Sequence, residues 1–268
     1  MNDFKPDEPR PSLGELISTC AYIDAHTHQD DYRDTQAMIR EVESERILTL
    51  TGAVSPDSIR KIARLNKRCP WIQTAAGIHP WKAGRYGPED LADLSPDYAA
   101  ALQVSEIGMD RVWAPPEADL NRQEALLEAQ LELAVRYGKP VTLHTKGAEQ
   151  EVLNLLKRHR PPSALIHWFD GSDSQLKQAL DLGCFFTLSP ALVTDRHFRE
   201  LCRLIPRDRL LPETDNPGTW PWLFKTEGRP LHIKEVVTEC AAFLVQPVEE
   251  LSELFRANLK NFLCFDQI

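Results

Sequence analysis

Short apolar runs alternate with longer amphipathic segments from residue 21 almost to the end of the chain. The runs have the length and β-branched composition of buried strands, and they span residues 21–26, 46–54, 71–78, 101–108, 140–145, 163–169, 184–190 and 209–215. Apolar residues recur at helical spacing over residues 34–45, 55–68, 121–138, 147–160, 173–183, 194–205 and 232–245. A last amphipathic segment, 248–263, predicts an extra C-terminal helix that packs across the outside or one end of the fold.

The clearest helix prediction is 121–138, which has an apolar stripe of Leu126, Leu127, Leu131, Ala134 and Val135 and Gly138 at the C-cap position. Alternating strands and helices imply parallel strands joined by right-handed crossovers. Eight repeats in 268 residues fit a closed α/β fold, the (β/α)8 or TIM barrel. An open doubly wound sheet is the alternative, but no Gly-rich nucleotide fingerprint follows the first strand. We predict one domain at residues 13–268 after a flexible tail at 1–12.

Composition narrows the functional classes. The chain is 42% hydrophobic and 26% charged, which is typical of a soluble globular protein. Its first twenty residues lack the apolar core of a secretory signal, and no apolar run is long enough to cross a bilayer. Six scattered cysteines without a C-x-x-C pair predict reduced thiols and a cytoplasmic location. The net charge of −9 argues against nonspecific adhesion to nucleic acid, but metal ions would supply local positive charge to a nucleic-acid substrate.

Side chains that bind metals stand at the carboxyl ends of the predicted strands, where barrel enzymes place their chemistry. They are His26, His28, His79, Glu106, Asp110, His144, His167, Glu213 and Asp215. Each alone has an ordinary explanation, such as a hydrogen-bonded core histidine or a capping aspartate. Four histidines and two carboxylates meeting at one barrel mouth indicate a metal site, and six protein ligands exceed what one open catalytic ion uses. We therefore expect two ions.

The ordered motifs DAHTH, GIHPW, SEIGMD, LHTKG, IHWFDGS and ETDNP resemble the TatD family of metal-dependent deoxyribonucleases, over roughly residues 21–264. The resemblance implies a two-metal TIM barrel that hydrolyses phosphodiester bonds in DNA. We expect a 3′–5′ exonuclease that prefers single-stranded ends, because tryptophans after the strand ends offer stacking surfaces for unpaired bases and the net charge of −9 provides no basic track for a long duplex. It places His26, His28 and Asp215 on one divalent ion, His144 and His167 on the other, and Glu106 between them. Histidine and carboxylate ligands suit zinc, manganese, iron or magnesium, which leaves the metal open.

The resemblance also suggests roles around the ions. Glu106 and Asp215 are the predicted catalytic residues, with Asp215 orienting the attacking water and accepting its proton. His79 is not needed as a ligand and is predicted to donate to a phosphate oxygen or the leaving group, although a purely structural role before Pro80 is an equal alternative. Trp168 is predicted to stack on an unpaired base, and Arg111 to contact the strand backbone. Other loop residues have the same potential: Trp81, Lys82, Arg85, Trp113, Lys146, Arg196, Trp220 and Trp222.

Departures from the family pattern bear on the substrate. Trp168 and Asp170 follow the sixth-strand histidine, and Asp170 adds negative charge where a DNA backbone would run. We interpret these changes as signs of a specialised branch, with partner proteins from a multi-gene bacterial defence or repair system.

Three alternative functions remain. A small-molecule hydrolase of the same superfamily would act on an amide, lactone or phosphoester, but many of those enzymes use a carboxylated lysine where this chain has Glu106. A PHP-type phosphoesterase needs a late Asp-x-His that ETDNPG lacks. A binding subunit would use the barrel as a platform within a complex, but all six ligands are retained.

Overall fold

The computed structural model describes residues 10–265, so most of the predicted tail at 1–12 lies outside the described residues. The strands are β1 (Tyr22–Thr27), β2 (Ile47–Thr51), β3 (Ile72–Gln73), β4 (Ala75–Ala76), β5 (Gln103–Gly108), β6 (Val141–His144), β7 (Ala164–Ile166), β8 (Phe185–Leu188) and β9 (Leu210–Pro212). The helices are α1 (Leu13–Thr19), α2 (Thr35–Ser44), α3 (Pro56–Arg68), α4 (Leu91–Ala100), α5 (Leu120–Arg136), α6 (Glu149–His159), α7 (Asp173–Asp181), α8 (Ala191–Thr194), α9 (Arg196–Leu204), α10 (Thr219–Phe224), α11 (His232–Leu244) and α12 (Val248–Phe262).

The strands follow one another in sequence order, and every neighbouring pair is parallel. Only Thr74 separates β3 from β4, so these two form one interrupted strand and the described chain has eight barrel strands. β1 and the segment after β9 close the ring, because the Asp215 N–H donates to the His26 carbonyl at 3.0 Å and the His28 N–H to the Asn216 carbonyl at 2.7 Å. The predicted (β/α)8 barrel is confirmed and the open sheet is excluded.

The eight predicted helices are all present, but four further helices were not predicted. Helix α1 begins after Ser12, whose side chain forms a capping box with Glu15. Helix α4 contains Pro96, and α8 and α10 are only four and six residues long, too short for a periodic pattern. Helix α12 packs against β1, β9 and α11, as expected for the extra C-terminal helix.

Helix α5 buries two glutamines along with its apolar stripe. Leu126, Leu127, Leu131 and Ala134 are buried as predicted, but Val135 is 44% exposed, so its place on the stripe was wrong. The Gln130 side chain accepts from the Ile78 N–H at 2.7 Å and donates to the Ile78 carbonyl at 3.1 Å. Gln123 accepts from the Asp110 N–H at 2.7 Å and donates to the Asp110 carbonyl at 3.0 Å. Helix α5 thereby holds the loops that follow the third and fourth barrel strands.

Two further sequence expectations concern cysteines and membranes. Cys20, Cys69, Cys184, Cys202, Cys240 and Cys264 are free thiols in the structure, and only Cys264 is not buried. Within residues 10–265, none of the helices has the length and apolar character that a membrane crossing requires. The boundary between the tail and the barrel at residues 12 and 13 stays a prediction.

Candidate metal centre

All six predicted ligands converge at the carboxyl end of the barrel, around the buried carboxylate of Glu106. Its Oε2 lies 3.4 Å from both His26 Nε2 and His28 Nε2. Its Oε1 lies 3.0 Å from His144 Nδ1 and 2.9 Å from His167 Nε2. The two oxygens of one carboxylate therefore face two separate pairs of histidines.

The group of His26, His28, Asp215 and Oε2 of Glu106 is the first candidate ion site. Asp215 Oδ1 lies 3.7 Å from His26 Nε2 and 3.3 Å from His28 Nε2. Gly52 leaves the room for these rings, because a Cβ there would stand 2.8 Å from His26 Cε1 and 3.1 Å from His28 Cε1. The Gly52 carbonyl also lies 3.1 Å from His28 Nδ1, which leaves Nε2 of that ring to face the site. Any side chain at position 52 would displace the two histidines.

The group of His144 Nδ1, His167 Nε2 and Oε1 of Glu106 is the second candidate ion site. The two ring nitrogens are 3.2 Å apart. On the far side of its ring, His144 Nε2 lies 2.8 Å from Asp110 Oδ2. This contact fixes the tautomer with the proton on Nε2, so Nδ1 is free to bind a metal. His167 Nδ1 lies 3.7 Å from Oε2 of the buried Glu213, which is beyond hydrogen-bond distance.

The donor atoms suit divalent ions. Ligands at about 2.1 Å from a metal are separated by about 3.0 Å in octahedral and 3.4 Å in tetrahedral geometry, and the donors of the two sites lie 2.9–3.7 Å apart. His26 is fully buried, yet its Nε2 has no hydrogen-bond partner within the described residues. Buried polar atoms are rarely left unpaired. A cation between His26, His28, Glu106 and Asp215 would satisfy this nitrogen.

His79 lies in the same cluster but has a different hydrogen-bonding state. Its Nε2 lies 3.3 Å from Glu106 Oε1, close enough for Glu106, His79 and His144 to form a possible metal-binding group. However, its Nδ1 accepts from the Trp81 N–H at 3.2 Å. A neutral ring that accepts at Nδ1 carries its proton on Nε2, which is then a donor and not a ligand. Burial lowers the pKa of His79 to about 4, so the ring is neutral near pH 7.

Protons and metal ions compete for the histidine nitrogens. Burial by itself lowers the pKa of His28, but contacts with Asp215 and Glu106 outweigh burial and raise this pKa well above its usual value. Burial likewise opposes the charge of His167, whose pKa is raised well above normal by Glu106 and Glu213. Only neutral imidazole binds a metal ion, so ion binding near pH 7 must displace these protons.

We therefore expect ion binding to release protons at pH 7. The apparent affinity for the ions should rise with pH until the pH exceeds the raised histidine pKa values. Calorimetric titration of chelator-treated protein, in two buffers with different ionisation enthalpies, measures the protons released. A His159→Ala variant is the control, because His159 lies on α6 beside Glu128 and outside the centre. Binding heats that are the same in both buffers would contradict the expectation.

Asp110 was noted in the sequence only as a strand-end carboxylate, but it organises one side of the centre. Its Oδ2 accepts from the Trp81 indole N–H at 2.6 Å as well as from His144. Its Oδ1 accepts from the N–H groups of Val112 and Trp113, both at 2.7 Å. Burial raises the pKa of Asp110, but the hydrogen bond with His144 and the other donors outweigh it and lower this pKa below its usual range. Asp110 is therefore an ionised acceptor that orients His144.

Replacing Asp110 with asparagine is expected to weaken metal binding at the second ion site by about 10–100-fold, the usual cost of losing a group that orients a ligand. The first ion site should keep its affinity, since Asp110 contacts none of its histidines or Asp215. Competition with a chromogenic chelator measures both affinities, and Asp93→Asn, at an exposed position of α4, is the control. Equal weakening of both sites would indicate general damage to the fold.

Of the three predicted substrate contacts, two lie in the cavity at the barrel mouth and one does not. His79 and Trp168 line a cavity of about 540 Å³ at the barrel mouth together with His28, Glu106, His144, His167 and Asp215. Arg111 is not among the residues lining this cavity, because its guanidinium pairs with Glu151 and donates to the Gly147 carbonyl at 3.0 Å. Asp170 forms an ion pair with Lys146, so the negative charge noted in the sequence is largely offset.

Comparisons with known proteins show the family of this chain. The chain matches the family model described as TatD related DNase over residues 23–264. It is 29% identical over 234 residues to the 3′-5′ ssDNA/RNA exonuclease TatD of Klebsiella pneumoniae, covering 82% of this chain and 87% of the relative. It is 26% identical over 218 residues to the human deoxyribonuclease TATDN3, covering 74% and 79% of the two chains.

Among solved structures, YJJV, a TatD homologue from Escherichia coli K12, superposes with a TM-score of 0.82 and 24% identity, covering 91% of this chain and 98% of the other. At this identity the likeness supports the barrel fold alone. The family match spans nearly the whole described barrel, from β1 to the end of α12. The chain therefore belongs to the TatD-related DNase family of metal-dependent hydrolases.

Proposed function

We propose that this protein is a metal-dependent phosphodiesterase that degrades single-stranded DNA from its 3′ end with two divalent ions. The observation that carries the proposal is the central Glu106, whose two oxygens face His26 and His28 on one side and His144 and His167 on the other. One bridging carboxylate between two sets of ligands suits phosphodiester hydrolysis, in which the attacking and leaving oxygens both need stabilisation. The relatives named as an ssDNA/RNA exonuclease and a deoxyribonuclease support a nucleic-acid substrate.

The ions, when bound, supply Lewis-acid chemistry that acidifies a water molecule and offsets the charge of the phosphodiester. Asp215 is placed to orient that water. Burial raises its pKa, but the hydrogen bond and charge of His28, together with the charge of His167, hold it at about 2, so the group is ionised at neutral pH. Thr219 Oγ1 donates to Asp215 Oδ2 at 2.9 Å and fixes the carboxylate plane. Asp215 then accepts the water's proton during attack.

His79 stabilises the substrate in this proposal. Its neutral ring lines the cavity with Nε2 3.3 Å from Glu106 Oε1, and the Trp81 N–H donates to Nδ1 on the other side of the ring. A buried neutral donor suits a non-bridging phosphate oxygen or the leaving oxygen, where negative charge develops.

Replacing His79 with alanine is expected to lower kcat by about 10²-fold, the lower end of the effect of removing one donor to a developing negative charge. Metal content should stay at the wild-type level, because the tautomer of His79 leaves no nitrogen for a metal. Steady-state cleavage and elemental analysis measure the two quantities, with His159→Ala as the control. A loss of metal from the His79 variant would show that this residue is a ligand.

The nuclease proposal is tested with chelator-treated protein reloaded with manganese, magnesium or zinc. The substrates are a 5′-labelled single-stranded DNA, an RNA of the same sequence, the blunt duplex and a closed circular single strand. We expect a metal-dependent ladder of progressively shorter labelled products from the linear single strand and no cleavage of the circle. Immediate release of the labelled 5′ nucleotide would contradict the polarity, and cleavage of the circle would contradict the requirement for an end.

The small-molecule alternative is tested in the same experiment. Hydrolysis of an amide, lactone or small phosphoester, without action on any nucleic acid, would overturn the nuclease proposal. If the metal-loaded protein hydrolyses none of these compounds, the binding-subunit alternative is favoured. The cytoplasmic location and the partner proteins of a defence or repair system stay predictions.

A further inference from the structure

The tryptophans near the strand ends have different environments. Trp220 is only 6% exposed and stacks on His232 with ring centroids 4.0 Å apart, so it belongs to the core. The Trp81 indole N–H donates a hydrogen bond to Asp110, and the Trp81 ring contacts the His79 ring edge to face. Trp220 therefore has a structural role, whereas Trp81 lines the cavity, is 42% exposed and is held in one orientation by Asp110.

Trp168 and Trp222 form a pair at another part of the cavity. Their ring centroids are 5.9 Å apart, and Phe198 lies behind Trp168 at 6.4 Å. Trp168 has a positive φ of 44°, a conformation that is unfavourable for a bulky residue, and its N–H donates to Thr187 Oγ1 at 2.8 Å. Trp222, on α10, is 57% exposed. The fold therefore holds one indole in place and leaves its partner's ring open to solvent.

This pair lies in the cavity that contains the metal centre. Trp168 directly follows His167, a ligand of the second ion site, and Trp222 follows Asp215 by seven residues. The cavity lining in the described chain includes only two cationic side chains besides histidines, Lys82 and Lys146. Lys146 is already paired with Asp170. A nucleic-acid strand therefore finds few phosphate contacts here apart from the ions, and aromatic surface must supply much of its affinity.

We propose that Trp168 and Trp222 form a stacking platform for one unpaired base, next to the phosphodiester held at the metal centre. The inference rests on the proposed nuclease function and adds a base subsite to it. A base in a duplex has both faces covered by its neighbours, whereas an unpaired terminal base presents a free face to the rings. The platform therefore selects single-stranded ends through stacking and not through a basic track along the backbone.

The test compares a short single-stranded oligothymidylate with matched oligonucleotides that carry an abasic residue at one of the last three positions. For the wild-type holoenzyme, one abasic position is expected to raise KM by about 5- to 150-fold, the range for loss of one base–aromatic stack. Trp222→Ala should raise KM for the intact oligonucleotide by a similar factor and remove the penalty of that abasic position. Metal content should not change, since Trp222 contacts no ligand.

Three control variants separate stacking from other effects. Trp222→Phe should keep most of the discrimination because it keeps a flat ring, whereas Trp222→Leu should lose it although it keeps apolar surface. Trp113→Ala tests the competing indole, because Trp113 is equally exposed and lines the same cavity from the loop after β5. If Trp168 and Trp222 hold the base, this variant should keep the discrimination of the wild type. Trp168→Ala should resemble Trp222→Ala.

The outcomes separate the platform from the nuclease proposal. An unchanged abasic penalty in a Trp222→Ala enzyme that still cleaves DNA overturns the platform alone. Equal loss of discrimination in Trp113→Ala assigns the base to a different part of the cavity and also overturns it. Absence of nuclease activity in the wild-type enzyme overturns the proposed function, and with it the platform.

Discussion

Replacing Glu106 with glutamine is expected to lower cleavage by at least about 10²–10³-fold, as when a group that stabilises the transition state electrostatically is lost, and to loosen both ions. Glu106 is 2% exposed and supplies an oxygen to each ion site. Burial raises its pKa, but the surrounding histidines outweigh burial and hold this pKa well below its usual value. The carboxylate therefore stays ionised, whereas an amide would offer one neutral oxygen and an N–H that faces cations.

Elemental analysis and the single-stranded DNA assay measure this effect. Glu132→Gln is the matched control, because Glu132 lies at an exposed position of α5. The Glu106 variant should bind less than one ion per chain under conditions in which the control binds two. If the variant keeps two ions and normal turnover, Glu106 does not bridge them.

Replacing Asp215 with asparagine is expected to lower cleavage to a similar extent, by about 10²–10³-fold, but to affect only one ion. Asp215 contacts His26 and His28 of the first ion site, whereas the second ion site does not include it. The change removes one anionic ligand and the predicted proton acceptor, so metal content should fall from two ions towards one.

The contrast between the two variants is the informative result. Asp181→Asn, at an exposed position of α7, controls for the change of carboxylate to amide. If Asp215→Asn loses both ions as Glu106→Gln does, the two sites are coupled more strongly than their separate ligands indicate. If activity survives at wild-type metal content, Asp215 is not the proton acceptor.

Local patterns determined the architecture and which residues lie at the carboxyl ends of the strands. Strand and helix periodicities depend on nearby residues, and eight repeats leave few topologies apart from a closed barrel. In such a barrel every strand carries its last residues to one end, so His26, Glu106, His144, His167 and Asp215 could be predicted to meet before any distance was known. Helices α4, α8 and α10 were not predicted, because a proline or a short length hides the helical period.

The contacts around the ligands depend on residues far apart in the chain and on side-chain rotamers, which no local pattern encodes. Asp110 orients His144 across 34 positions of sequence, and Gly52 matters only because two rings pass over its Cα. Arg111 was predicted to contact the substrate backbone, but in the fold its guanidinium pairs with Glu151. Sequence by itself therefore determined which residues gather at the barrel mouth. Only the tertiary structure decided which of them face the candidate ion sites, which hold another side chain in place, and which line the cavity, because those positions depend on the direction in which each side chain points.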